Sequence, residues 1–171
     1  TAVNHGDIGT EAVDMSYSSS SSSTKGATGG YSTAMGANTT ASGDYSTATG
    51  RSTTSSGHYS TATGYGTTAS GSRSTATGYN TTASGYASTT MGQETTASAT
   101  YSTATGYSTE ANGIASFSMG KETEASDFGS LVIGTYNSVG NAVTTNGSAS
   151  AFDVDNSAFV IGNGASGALS D

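Results

Sequence analysis

The sequence has no Cys, no Pro and no Trp, and only 4 of its 171 residues are Lys or Arg. Each shortage excludes a class. Without Cys there is no disulfide scaffold, no thiolate metal site and no Cys nucleophile. Four basic residues against 12 acidic ones leave a net charge of −8, which gives no electrostatic grip on nucleic acid or anionic lipid. No run of about 18 apolar residues occurs, so no membrane insertion by this segment is expected. Leu, Ile, Val and Phe together make up about 10% of the chain, too little for an ordinary globular core. What is abundant is hydroxyl and glycine: 63 Ser and Thr residues and 25 Gly. Two architectures fit such a composition. One is a disordered low-complexity tract; the other is a repeat that needs little apolar volume per turn.

Periodicity decides between them. Gly recurs at a constant interval of fourteen, at Gly36, Gly50, Gly64, Gly78, Gly92, Gly106, Gly120 and Gly134. A second small-residue column lies half a period on, at Gly43, Gly57, Gly71, Gly85 and Gly113, with Ala99 and Asp127 breaking it. Ser stands four positions before each main Gly, from Ser32 to Ser130. The unit reads Y-S-T-A-T-G-x-x-T-T-A-S-G-x, with copies starting at Tyr31, Tyr45, Tyr59, Arg73, Ala87, Tyr101, Ala115 and Gly129. A disordered tract need not hold one residue type at one phase for so long. A coil stacked on itself must, because each position lies on its own copy. Gly at both half-turns predicts two short strands joined by tight bends. Missing Pro agrees with strands that donate to neighbours at nearly every position. Frequent Gly and β-branched Thr oppose a helix. The expected fold is all-β, a parallel β-roll (solenoid) of 14-residue coils, about 38 Å long for eight coils at about 4.8 Å each.

Alternation along a strand sorts the side chains into two faces. Thr33, Met35, Thr47, Thr49, Phe117, Met119, Leu131 and Ile133 share one; Ala34, Ala48, Ala62, Ala76, Ala104 and Val132 share the other. Both faces accept apolar residues and neither carries charge. One must line the coil and the other must be covered. A second copy of the chain is the simplest cover. Which parity points inward is left open by the sequence.

These repeats resemble the head repeats of trimeric autotransporter adhesins, the YadA-like head, and similar repeats in phage and viral fibre proteins. The nearest copies of that pattern are Gly129-Ser130-Leu131-Val132-Ile133-Gly134 and Ser157-Ala158-Phe159-Val160-Ile161-Gly162. The resemblance covers about residues 27–142 and again 156–164. It implies a left-handed roll, three rolls packed as a homotrimer, and an extracellular site on a cell surface or virion fibre. Thr here replaces most of the Val and Ile of the pattern, keeping the branched shape but adding a hydroxyl.

The flanks divide the chain into 1–26, 27–142 and 143–171. Ser18, Ser20 and Ser22 lie one period before Ser32, Ala34 and Gly36, and Ala27 and Gly29 are in phase with Ala41 and Gly43, which favours a degenerate first coil over a linker. After Ala142 the period breaks. Asn146-Gly147 reads as a turn, and Gly162 follows Gly134 by two periods, so Ser157–Gly162 is expected to rejoin the roll. The chain lacks a signal-peptide pattern and begins without Met, as a mature product or fragment would.

Catalytic and metal chemistry find little support. His5 and His58 are the two histidines, and no nucleophile and orienting acid are marked out around either. His58 occupies the variable bend position that Asp44, Ser72, Tyr86 and Thr100 fill elsewhere. Asp153-Val154-Asp155-Asn156 starts like a calcium loop but lacks its Gly and closing Glu. Glu94, Glu110, Glu122 and Glu124 fall in two variable columns beside Lys121, as solvated bends do. Asn38, Asn80 and Asn146 open N-x-S/T sequons, which chance supplies readily in so Thr-rich a chain. No cofactor and no metal is expected, and the protein reads as non-enzymatic.

Surface recognition has better candidates. Tyr65, Tyr79 and Tyr107 follow the main Gly and would offer rings to a host glycan or surface protein. Tyr31, Tyr45, Tyr59 and Tyr101 open repeats, where ring stacking between turns is favoured. Thr47-Ala48-Thr49 and its copies form T-x-T ranks like those of insect antifreeze surfaces. Met35, Met91, Phe117 and Ile133 interrupt the same columns, which argues for a covered face. The expected function is an extracellular adhesin or fibre head segment giving multivalent attachment. The alternative is a structural spacer or filament subunit, with ice binding ranked below both.

Overall fold

The computed structural model of the chain describes residues 8–18, 22–137 and 159–163. It is a parallel β-solenoid of about eight turns. Each turn of the repeat contributes one five-residue strand and one two-residue strand, as in Thr75–Tyr79 followed by Thr82–Ala83. The long strands form a ten-stranded parallel sheet running from Val13–Tyr17 at one end to Phe159–Asn163 at the other. The short strands form a parallel sheet of eight. Every strand in the repeat pairs with its own copy one period away: Thr61 with Thr75, Gly64 with Gly78, Thr68 with Thr82. Like lies on like because the period has no insertion.

The tertiary structure settles which face is inside. Ala34, Ala48, Ala62, Ala76, Ala104 and Val132 are completely buried, so the alanine parity lines the coil. Phe117, Met119, Leu131 and Ile133 belong to the outward parity, and Val132 is the fully buried side chain of largest volume. Each coil points four small side chains inward, as in Ser74, Ala76, Thr81 and Ala83, all fully buried. The interior is therefore half hydroxyl. Such a core contributes little by transfer of apolar area, so the backbone ladders between coils carry much of the cohesion.

The buried hydroxyls are not equally satisfied. Ser60 Oγ donates to the Gly57 carbonyl at 2.6 Å and Ser88 Oγ to Gly85 at 2.8 Å. Ser118 Oγ lies 2.7 Å from Thr123 Oγ1. The hydroxyls of Thr39, Thr53, Thr67, Thr81, Thr95 and Thr109, one continuous column, have no partner. A buried unpaired hydroxyl costs about 1–3 kcal/mol, whereas a paired one contributes about 1 kcal/mol. Two isosteric changes in that column should move stability in opposite directions. Thr81→Val is expected to raise the unfolding midpoint, by about 1 kcal/mol of stability. Thr123→Val strands Ser118 and should lower it by about 1–2 kcal/mol. Urea titration of both variants checks the pair of signs.

Glycine at the half-turns has two separate causes. In the main column φ lies far in the positive region, +125° at Gly64 and Gly78. In the other column φ is not positive; a Cβ on Gly71 would collide with the Gly85 carbonyl of the next coil. That column is thus about close approach rather than bending. The left-handed corners, apart from those at Gly66 and Gly129, are held by other residues. Tyr31, Tyr45, Tyr59 and Arg73 have φ between 55° and 61°, and Asn38, Ser52 and Asn80 between 52° and 56°. Each such corner N–H is paired to the preceding coil, for example Tyr45 to the Gly30 carbonyl at 2.8 Å and Ser52 to Ala37 at 2.8 Å. Those bonds offset a left-handed cost of about 1–2 kcal/mol per residue.

The ends depart from the expected phase. The first long strand is Val13–Tyr17, in which Val13 pairs with Thr33, Met15 with Met35 and Ser16 with Gly36. That shift is longer than the repeat, so Ser18 and Ser22 do not supply the strand; Ser20 lies outside the described residues. Ala27 does pair with Ala41, as its phase predicted. At the other end Gly162 pairs directly with Gly134, one strand away and not two. Residues 138–158 lie outside the described residues, and with them Asn146-Gly147 and Asp153–Asp155.

Candidate functional site

The ten-stranded sheet presents its outward face unprotected. Thr47 and Thr49, Thr61 and Thr63, Thr75 and Thr77, Thr103 and Thr105 stand there in ranks, partly exposed. Toward one end the ranks become Phe117 and Met119, then Leu131 and Ile133, then Phe159 and Ile161. Ile161 is 65% exposed and Phe159 56%. Toward the other end stand Val13, Met15 and Met35, all exposed. Contiguous exposed apolar side chains on one sheet face mark an interaction surface. The alternation that buries Ala34 forces this outcome, because i and i+2 share a face.

The tyrosines occupy the bends. Tyr31, Tyr45 and Tyr59 stack in a column with centroids 4.9 and 5.0 Å apart and planes within 4° of parallel. Coil stacking sets this spacing, since a strand repeat of about 4.8 Å is close to ring-stacking distance. Tyr65 and Tyr79 stack likewise at 5.1 Å, with the Arg51 guanidinium 5.5 Å from the Tyr65 centroid. Lys121 Nζ lies 5.9 Å from the Tyr107 ring and 4.8 Å from that of Tyr136. The three candidate contact residues thus have ring faces engaged by neighbours. All three side chains remain exposed beside those contacts. The hydrogen bond to the Tyr136 hydroxyl raises the Lys121 pKa.

The titratable residues form no catalytic constellation among the described residues. His58 Nδ1 lies 3.5 Å from Asp44 Oδ2, and both side chains are more than half exposed. Asp44 Oδ1 in turn accepts from the Gly30 N–H, so this carboxylate ties two bends together. Glu110 and Glu124 stand in register on the eight-stranded sheet. The Asn112 amide donates to both, at 3.0 and 3.4 Å. Lys121 and Glu122 approach to 3.9 Å. Among the described residues no group of three metal-ligating side chains converges, and no helix is long and apolar enough to cross a membrane.

Comparison with known families matches the YadA head domain repeat (2 copies) over residues 27–53, 55–81 and 82–109. The chain carries YadA-like head repeats. The three matched stretches are contiguous but for one residue, and each spans about two 14-residue repeat units. No curated protein matches the sequence significantly. The YadA-like head repeat and its β-solenoid are of a structural, adhesin type and not known as enzymes. What the resemblance could not reveal is the orientation of the faces.

Proposed function

We propose that this YadA-like head works as a homotrimer on an extracellular fibre, whether at a cell surface or on a virion, with residues 27–142 as its region of repeats and a left-handed coil. Its role is multivalent attachment to a host glycan or surface protein. The observation that supports self-association is the outward face of the ten-stranded sheet. Among the described residues Phe117, Met119, Leu131 and Ile133 lie there partly or well exposed, in ranks that are Thr in most other coils. Three such faces turned toward a common axis would hide them. Attachment through edges and hydroxyls of Tyr65, Tyr79 and Tyr107, each repeated three times, would gain from avidity what single contacts lack.

Sedimentation equilibrium tests the assembly. The wild-type chain is expected at three times its monomer mass of 16.6 kDa. Ile133→Asp buries a charge at the proposed interface, which costs several kcal/mol unless paired, so a shift to monomer is expected with β-rich circular dichroism retained. A wild-type monomer would end the trimer reading. Attachment is tested separately, by binding of the trimer to glycan arrays and cultured cells; a trimer that binds neither would be a structural spacer.

A further inference from the structure

The second sheet carries an array that the reading above does not use. Along the short strands the residues flanking each buried Ala (Ser55 in one coil) point outward, and over five successive coils they are Thr and Ser without exception. The core of the array is Thr54 and Ser56, Thr68 and Ser70, Thr82 and Ser84. The Thr are partly exposed and the Ser exposed. Register is strict: Thr54 pairs with Thr68 and Thr68 with Thr82. Hydroxyls therefore repeat about every 4.8 Å along the axis and about every 6.7 Å across it. No charged or aromatic side chain enters either column until Glu110. The T-x-T ranks of the other sheet differ, because Met35, Met91 and Phe117 break them.

We infer that this Thr/Ser lattice is an ice-binding face. The argument is one of periodicity. A lone exposed hydroxyl gains almost nothing by exchanging water for a soluble ligand, because the hydrogen bonds balance. A rigid row of them gains only against a partner with the same repeat, for then each weak contact adds without further ordering cost. The two repeats lie close to those of water oxygens on a prism face of ice. Among polymers, a sugar chain is disfavoured on this face: glycan sites rely on open aromatic faces, and neither column of the array carries an aromatic side chain. Nucleic acid is excluded by the missing positive charge. The array is on the sheet opposite the proposed trimer interface, so trimer formation leaves it exposed and neither reading depends on the other.

Native variation inside the repeat supplies safe variants. Glu110 and Glu124 occupy the column of Thr68 and Thr82, so a T68E/T82E double variant copies a tolerated pairing. Met35, Met91 and Met119 occupy the column of Thr63 and Thr77, so T63M/T77M is the control on the other sheet. Thermal hysteresis and ice-crystal shaping are measured on the full chain, with circular dichroism confirming the fold of each protein. The expected result is crystal shaping by the wild type, its loss in T68E/T82E and its retention in T63M/T77M. Three results would overturn the inference. The first is no effect of the wild type on ice. The second is loss confined to T63M/T77M, which moves the ice face to the other sheet. The third is an inert response to ice with retention on insoluble chitin or cellulose that T68E/T82E abolishes, which makes the face a polysaccharide site.

Discussion

Gly78→Ala is expected to unfold the middle of the roll. The new methyl would sit well inside any real carbon–oxygen contact with the Gly92 carbonyl, and φ of +125° is a conformation that L side chains avoid. Strained backbone alone costs about 1–3 kcal/mol. Separating the two coils would add the loss of ladder hydrogen bonds on both sides of residue 78. A total above about 3 kcal/mol is expected, a large share of the roughly 5–15 kcal/mol that stabilises a typical domain. Gly66→Asn makes the contrasting case. Gly66 has φ of +65°, and Asn38 and Asn80 hold the same corner in other coils at 56° and 52°. The obstacle there is the movable Asn80 side chain. Thermal melts should show a collapse for Gly78→Ala and a near-neutral shift for Gly66→Asn. Gly71→Ala should fall between them, since Ala99 and Asp127 already stand in its column. Equal penalties at all three sites would refute this account of the glycine columns.

Ala76→Leu should be almost as damaging, for a different reason. Ala76 is fully buried, with Ala62 on one side and Thr90 on the other in the same column. Opposite stand Ala69 and Ala83, also fully buried. Larger side chains forced into a packed interior cost about 1–3 kcal/mol, occasionally more. The upper part of that range is expected here because no neighbour is large enough to yield volume by changing rotamer. Thr90 shows that one β-branched side chain fits the column, so Ala76→Val should cost distinctly less than Ala76→Leu. Hydrogen exchange would localise the defect to the coils around residue 76, leaving the amides near Ala34 protected. A Leu variant as stable as wild type would mean that the interior is looser than its burial implies.

Much of the fold was legible before any coordinates. The regular recurrence of Gly demanded a stacked coil, and the strands pair at that same shift. Stacking of Tyr31, Tyr45 and Tyr59 followed from their shared phase, whereas Tyr101, between Ala87 and Ala115 in that column, meets Tyr86 edge-on instead. Other features were not legible, and each has a local cause. Gly at both half-turns predicts glycine bends, yet left-handed corners belong to Tyr31, Asn38 and their copies, held by bonds to a neighbouring coil that one repeat in isolation does not show. The serine run matched the strand phase by composition alone. Val13–Tyr17 takes the ladder position instead, with Val13 beside Thr33 and Met15 beside Met35. The hydroxyl array on the short-strand sheet is not legible in sequence, because two-residue strands leave no alternation long enough to read.

By itself the sequence determined the period, the stacking of like on like and the absence of a thiolate site, since these depend only on residue identity and spacing. The tertiary structure alone decided the inside from the outside. Strand alternation is symmetric between its two faces, and with Ala on one and Thr on the other neither parity is apolar enough to declare itself. Closing the coil broke that tie, because so narrow an interior admits Ala and Ser where the open face admits Phe117, Met119 and Ile133.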